Sequence, residues 1–252
     1  MENKFAFGKK IIKEAGKFIL SRMFAPVTVE TKSRFDDLVT SLDKETQDLL
    51  VSRILDVYPE DKILAEESQT NASITDDRVW VIDPIDGTTN FIVQKSDFVV
   101  MLSYFEKGVG KFGLIYDVVN DQLFSGGPDF RAQLNGNPLE TYESRPLNET
   151  LIISNAGMFA RNSHGVADLA AQTLGSRTYG SAGLSMSRVM SGKAILYTSC
   201  VYPWDYAAAA VIGQTLGYEV LTLSGEQPDY QTRQEIMFFP TEEKSIIQTY
   251  IH

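Results

Sequence analysis

An apolar segment that leads straight into two carboxylates is the part of this chain best equipped for chemistry. It reads Trp80-Val81-Ile82-Asp83-Pro84-Ile85-Asp86-Gly87-Thr88-Thr89-Asn90-Phe91. Val79 to Ile82 predicts a strand, and Pro84, with no amide hydrogen and a fixed φ, is expected to end it. Gly87 permits a backbone approach that a side chain would block. Asp83 and Asp86 can then converge on one point, where two carboxylates must share a proton or hold a cation. All-oxygen ligands favour a hard ion such as magnesium. If Gly87, Thr88 and Thr89 open a short helix, their amides form a phosphate cradle beside that ion. Taken singly, Asp86-Gly87 also suits a hairpin turn and Asp83 a cap; the full run argues against that pair of roles.

Further candidates take their meaning from their neighbours. Glu66-Glu67 follows the apolar Ile63-Leu64-Ala65, and alone it reads as a solvated loop. Asp43 stands three residues after Thr40, where a capping-box acid would sit beside the positive end of a helix. Asp205 opens an alanine-rich helix that Gly217 closes, so an N-cap role accounts for it equally. Gly180-Ser181-Ala182-Gly183 suits either close packing or substrate contact, and Lys32 reads as a solvated loop lysine.

The elements that must position these residues follow from periodicity. Ile11, Ile12, Ala15, Phe18 and Ile19 recur at helical spacing, predicting an amphipathic helix over 9–23. The polar stretch Glu30 to Asp37 reads as an exposed loop. A second helix is expected to begin near Thr40 to Asp43, bury Leu50, Ile54 and Val57, and stop at Pro59. Strands are predicted over 98–105, 111–116 and 122–125, with Asn120-Asp121 as a hairpin turn. After Pro146 shorter strands (151–154, 194–198, 219–223, 236–239) alternate with helices over 181–190 and 205–216. The reading is a single catalytic unit with an N-terminal half over about 1–145, which carries most metal-ligand candidates, and a C-terminal half over about 146–252 that carries Asp205 and the substrate wall.

Composition excludes several classes. The 252 residues suffice for a sizeable core, and 43% hydrophobic with 22% charged residues is ordinary for a globular chain. A net charge of -10 leaves no basic face for nucleic acid or an anionic membrane, and it means that an anionic substrate would need bound cations. Cys200 is the only cysteine and His164 and His252 the only histidines, which rules out an intrachain disulfide and a Cys/His zinc site. A cytoplasmic setting is expected. No stretch reaches membrane-span length, and Met1 to Lys10 lack a signal-peptide pattern, which predicts an unprocessed chain.

Together, Asp37-Leu38-Val39-Thr40-Ser41-Leu42-Asp43, Ala65-Glu66-Glu67-Ser68, the Trp80 to Phe91 run, Gly180 to Gly183 and Trp204-Asp205 resemble the inositol monophosphatase family of lithium-sensitive, magnesium-dependent phosphatases. The resemblance implies an α+β fold, a layered α/β/α/β/α sandwich of the type shared with fructose-1,6-bisphosphatase, and a homodimer. It implies that Glu66, Asp83 and the Ile85 carbonyl bind one Mg2+, that Asp83, Asp86 and Asp205 bind a second, and that a weaker third sits near Glu66. Mn2+ would substitute, whereas Ca2+ and Li+ would inhibit. Asp43 and Thr88 would activate the attacking water, with Glu67 supporting the metal shell and the Gly87 and Thr88 amides holding phosphate. Asp86, Ser181, Ala182, Thr198 and Asp205 would contact substrate, and Lys32 would lie on the mobile loop. Such metals could polarise the phosphoryl oxygens, lower the pKa of the attacking water and stabilise the leaving alkoxide in an in-line displacement.

One departure bears on substrate. Seven residues before Asp205, where inositol-hydrolysing members carry a glutamate, this chain has Thr198. The expected substrate is inositol monophosphate or a similar sugar or polyol phosphate. Fructose 1,6-bisphosphate, NADP and 3′-phosphoadenosine 5′-phosphate are the alternatives, although Thr89-Asn90-Phe91 resembles the inositol branch rather than the 3′-nucleotidase branch. A regulatory binding protein that keeps the fold without the activity is the reading from a different class.

Overall fold

The computed structural model describes residues 1–32, 35, 38–67 and 72–252; Asp37 and Ser68, which belong to the motifs above, lie outside the described residues. Helix α1 (Glu2–Arg22) starts earlier than the apolar spacing predicts, because Phe5 and Gly8 continue the buried stripe of Ile11, Ile12, Ala15 and Ile19. The segment expected to be an exposed loop holds a short strand, β1 (Val29–Thr31), paired antiparallel with β2 (Leu38–Thr40). Helix α2 (Ser41–Val57) begins where Thr40 accepts the Leu42 and Asp43 amide hydrogens through its side chain.

A seven-stranded sheet follows. Strand β3 (Lys62–Ala65) runs parallel to β4 (Val79–Asp86). Helix α3 (Thr88–Gln94) leads to β5 (Val99–Glu106), β6 (Val109–Asp117), β7 (Gln122–Gly127), β8 (Phe130–Leu134) and β9 (Asn137–Pro138), all antiparallel and laid side by side in chain order. Asp121, with φ of 48°, makes the predicted turn between β6 and β7.

The second sheet has order β11-β10-β12-β14-β13. Strand β10 (Ile152–Ser154) is followed by helices α4 (Ala156–Ala160) and α5 (Val166–Ala170), then by β11 (Ser176–Arg177). Helix α6 (Ala182–Met190) leads to β12 (Leu196–Val201), and α7 (Pro203–Gln214) to β13 (Tyr218–Thr222), β14 (Gln234–Pro240) and α8 (Lys244–Tyr250).

The period-2 alternation of the strands sorts the core side chains onto opposite sheet faces. Trp80, Ile82, Val100, Leu102 and Leu114 face α1 and α2. Val99, Met101 and Ile115, on the other side of the same sheet, meet α6, α7 and the inner face of the second sheet through Tyr197, Ile236 and Phe238. Leu196, Met237 and Phe239 turn outward onto α4, α5 and α8. The result is a layered α/β/α/β/α arrangement, and each fully buried side chain of this size contributes about 1.5–3 kcal/mol to holding it.

Candidate active site

Strand β4 does not stop at Pro84. It continues to Asp86 through a bulge, with Asp83 opposite Met101 and Asp86 opposite Val99, so three steps along β4 match two along β5. A bulge tolerates the missing amide hydrogen of proline, which is why the strand survives. Its chemical effect is larger. In a regular strand Asp83 and Asp86 would face opposite sides, whereas the inserted residue turns both toward the layer that holds α6 and α7.

There Asp86 meets the start of α6. Its Oδ2 accepts hydrogen bonds from Ser181 Oγ and Gly183 N, each at 2.6 Å, and its Oδ1 accepts from Ala182 N at 3.0 Å. Gly183 is required for this approach, since a Cβ would lie 2.6 Å from Met101 Sδ and 3.2 Å from Asp86 Oδ2. Ser181 is the N-cap of α6, and both it and Ala182 line the cavity beside Asp86. Asn90 ties the same regions together, donating to the carbonyls of Asp97 at 2.8 Å and Tyr179 at 2.6 Å.

Asp205 is not the N-cap of α7: Tyr202 is, and Asp205, at N3, accepts the Tyr202 amide hydrogen at 2.7 Å. Pro203 at the start of α7 displaces the cap from the acidic residue. Oxygens of Asp83, Asp86 and Asp205 all lie within 4.8 Å of one another.

Asp43 fills both roles open to it. Its Oδ2 accepts the Thr40 amide hydrogen at 3.0 Å as a capping-box acid, while Oδ1 accepts the Thr88 hydroxyl at 2.9 Å. Thr88 follows Gly87, whose φ of 96° turns the chain from β4 into α3, and the Ile85 carbonyl lies 3.1 Å from the Thr88 hydroxyl. Glu66 continues the pairing of β3, its amide donating to the Ile82 carbonyl at 3.3 Å. Lys32 is exposed, as expected, but it is not free. Its Nζ is 2.8 Å from Glu66 Oε1 and also pairs with Glu67, whose amide donates to Gln47 Oε1 at 2.8 Å.

This concentration of buried acid is electrostatically uncomfortable without a cation. Asp83 is held well above the usual carboxylate range by burial and then by repulsion from Glu66, Asp86 and Asp205. Asp205 is raised likewise, by burial first and then by Glu66 and Asp86. Burial pushes Glu66 up to about 7 against the opposing pull of Lys32. Burial also raises Asp43 and Asp86, the latter despite its bonds from Ser181, Ala182 and Gly183. Asp83 Oδ1 accepts the Ile85 amide hydrogen at 3.1 Å, but its Oδ2 is buried with no hydrogen-bond partner. An orphaned carboxylate oxygen inside an all-oxygen acidic cluster fits a hard divalent cation.

Asp86 and Asp205 line a cavity of about 170 Å³ together with Ser154, Tyr197 and Ser199. Thr198 is off this wall. It has no exposed surface, and its hydroxyl donates to Ser154 Oγ at 3.0 Å, one layer behind the cavity. Alternation along β12 explains the difference, since neighbours Tyr197 and Ser199 take the cavity face and Thr198 the opposite one. Sequence reasoning missed Tyr197, Ser199 and Gln47; for the first two, counting alternate residues along the predicted strand was the available signal.

The chain matches the inositol monophosphatase family over residues 1–249. It belongs to that family. The inositol-1-monophosphatase of Bacillus subtilis is 37% identical over 251 residues, 97% of this chain and 95% of that protein. An IMPase/NADP phosphatase solved with Mg2+ and phosphate superposes with a TM-score of 0.89 at 26% identity, covering 98% of this chain and 94% of its own. A staphylococcal inositol monophosphatase-1, solved as a LiCl-soaked inhibitory complex, superposes with a TM-score of 0.90 at 26% identity over the same shares. As a member of this inositol monophosphatase family the chain is a phosphoric monoester hydrolase, and its α+β layers are those of the family's sandwich. Among the described residues no helix is long and apolar enough to cross a membrane.

Proposed function

We propose that this chain hydrolyses the phosphate monoester of a small polyol or sugar, inositol monophosphate first among them, by attack of water at phosphorus. The observation that carries the reading is the partnerless Oδ2 of Asp83, a residue whose carboxylate clusters with those of Asp86 and Asp205. Glu66, Asp83 and the Ile85 carbonyl would hold one Mg2+, and Asp83, Asp86 and Asp205 a second. A weaker third would sit near Glu66, and Glu67 would support the shell. Bound there, Mg2+ would supply positive charge that offsets the substrate dianion, activates water and stabilises the leaving group.

The chain's own residues do the rest. Thr88 passes its hydroxyl proton toward Asp43 while taking one from the attacking water, and the burial that raises Asp43 makes it a better base. The Gly87 and Thr88 amides, at the first turn of α3, hold phosphate oxygens. Asp86, Asp205, Ser181 and Ala182 flank the alcohol half. Lys32, paired here with Glu66 and Glu67, would release those carboxylates to Mg2+. Mn2+ would substitute for Mg2+, and Ca2+ and Li+ would inhibit. The lone Cys200 suits a cytoplasmic protein, and a homodimer follows the family resemblance.

The test is phosphate release from inositol 1-phosphate, fructose 1,6-bisphosphate, NADP, 3′-phosphoadenosine 5′-phosphate and glycerol 2-phosphate, with and without Mg2+. Inositol 1-phosphate is expected to lead. Silence across the panel would favour a binding protein that keeps the fold alone.

A further inference from the structure

We propose that Tyr197, with Ser199 beside it, hydrogen-bonds a hydroxyl of the substrate's alcohol half and so gives this chain its preference for polyhydroxylated leaving groups. The inference rests on the hydrolase reading above and adds to it the residues that read the leaving group.

The cavity is rich in hydroxyls, but most are committed. Ser181 donates to Asp86 at 2.6 Å, Ser185 to the Ser181 carbonyl at 2.5 Å, and Thr178 to the Ser154 carbonyl at 2.9 Å. Ser154 Oγ takes the Thr198 hydroxyl at 3.0 Å and reaches the Asn155 carbonyl at 3.2 Å. None of these can turn to a ligand without surrendering a bond. Tyr197 and Ser199 are different. They share β12 and line the cavity together, and the Ser199 hydroxyl donates to the Tyr197 oxygen, which leaves the phenol proton of Tyr197 for a ligand.

Position and charge state strengthen the case. Tyr197 is only 5% exposed, and it lines the same cavity as Asp86 and Asp205. Burial holds its phenol above the usual range, so it stays a neutral donor. A site built to bond a hydroxyl rejects an analogue that lacks one, because its own polar group is then left buried and unpaired. The cavity of about 170 Å³ suits a single small ring; drug-sized ligands occupy about 300 Å³ or more.

The experiment compares kcat and KM for inositol 1-phosphate and phenyl phosphate, whose leaving group carries no further hydroxyl, in wild type, Tyr197→Phe and Ser199→Ala. Because both substrates are read on one preparation, the ratio of their kcat/KM values is insensitive to partial misfolding. In Tyr197→Phe that ratio is expected to fall about tenfold, mainly through KM for inositol 1-phosphate, with Ser199→Ala moving it less in the same direction. An unchanged ratio in both variants would overturn the inference while leaving the hydrolase reading intact. A wild-type protein that releases phosphate from neither compound would overturn both.

Discussion

The hydroxyl of Thr88 donates a 2.9 Å hydrogen bond to Oδ1 of Asp43, joining the first residue of α3 to the first turn of α2. Because the other oxygen of Asp43 caps its own helix, the carboxylate cannot swing away, and Thr88 is held in a fixed direction. Removing the hydroxyl removes the proton path but not the cap. Thr88→Ala is therefore expected to lower kcat about 10² to 10⁴-fold with little change in thermal stability, and Thr88→Ser to retain most activity. Steady-state kinetics beside thermal unfolding checks both; full activity in Thr88→Ala would remove Thr88 from the relay.

Gly183 sits inside α6, where Gly→Ala ordinarily stabilises a helix by about 0.5–1 kcal/mol. The opposite sign is expected here. The new methyl would lie 2.6 Å from Met101 Sδ and 2.7 Å from Val99 Cγ2, forcing the start of α6 away from Asp86. Gly183→Ala should destabilise the fold by about 1–3 kcal/mol and weaken Mg2+ activation, as read by denaturant unfolding and by the Mg2+ dependence of rate.

Thr198→Glu separates the sequence expectation from the structure. On a substrate wall it would retune specificity. Buried behind Ser154 instead, a glutamate would place a charge with no partner in the second sheet, costing several kcal/mol. The expected outcome is a loss of folded protein, measured by circular dichroism, with no new preference among phosphate esters.

The metal-free acidic cluster sets a pH dependence whose sign follows from the raised pKa values. Asp43, Glu66, Asp83, Asp86 and Asp205 all bind protons more tightly folded than unfolded. The stability this confers is fully present below the unfolded carboxylate pKa of about 4. It is lost as pH rises through the folded values, with Glu66 completing its loss around 7. In EDTA the melting temperature should drop by roughly 5 °C or more between pH 5 and pH 8, and saturating Mg2+ should flatten that slope. A flat profile in EDTA would mean that neither burial nor mutual repulsion destabilises the charged carboxylates.

Much of the site was legible because residue type and spacing are local properties. The Trp80 to Phe91 run announces a strand, two acids and a helix start from consecutive residues, and the fold keeps that order. What stayed hidden depends on partners distant in sequence. The bulge at Pro84 requires β5 to carry the pairing past it, and only the bulge puts Asp83 and Asp86 on one face. Lys32 meets Glu66 and Glu67 across more than thirty residues, which no local pattern encodes. Tyr197 and Ser199, rather than Thr198, face the cavity because β12 is held between β10 and β14 in one register. The sequence offers Asp43 a capping role or a role with Thr88 toward water, and the fold makes the two compatible through a bond that no local pattern encodes.

If Asp83 organises the metals on which hydrolysis depends, phosphate release from inositol 1-phosphate by wild type and Asp83→Asn across a Mg2+ titration will differ at every Mg2+ concentration. The wild-type rate should rise to saturation with Mg2+ and vanish in EDTA, while Asp83→Asn, folded by circular dichroism, should stay at least about a thousandfold slower at every concentration. An Asp83→Asn protein that reaches the wild-type rate at saturating Mg2+ would mean that Asp83 is not a metal ligand on which the reaction depends.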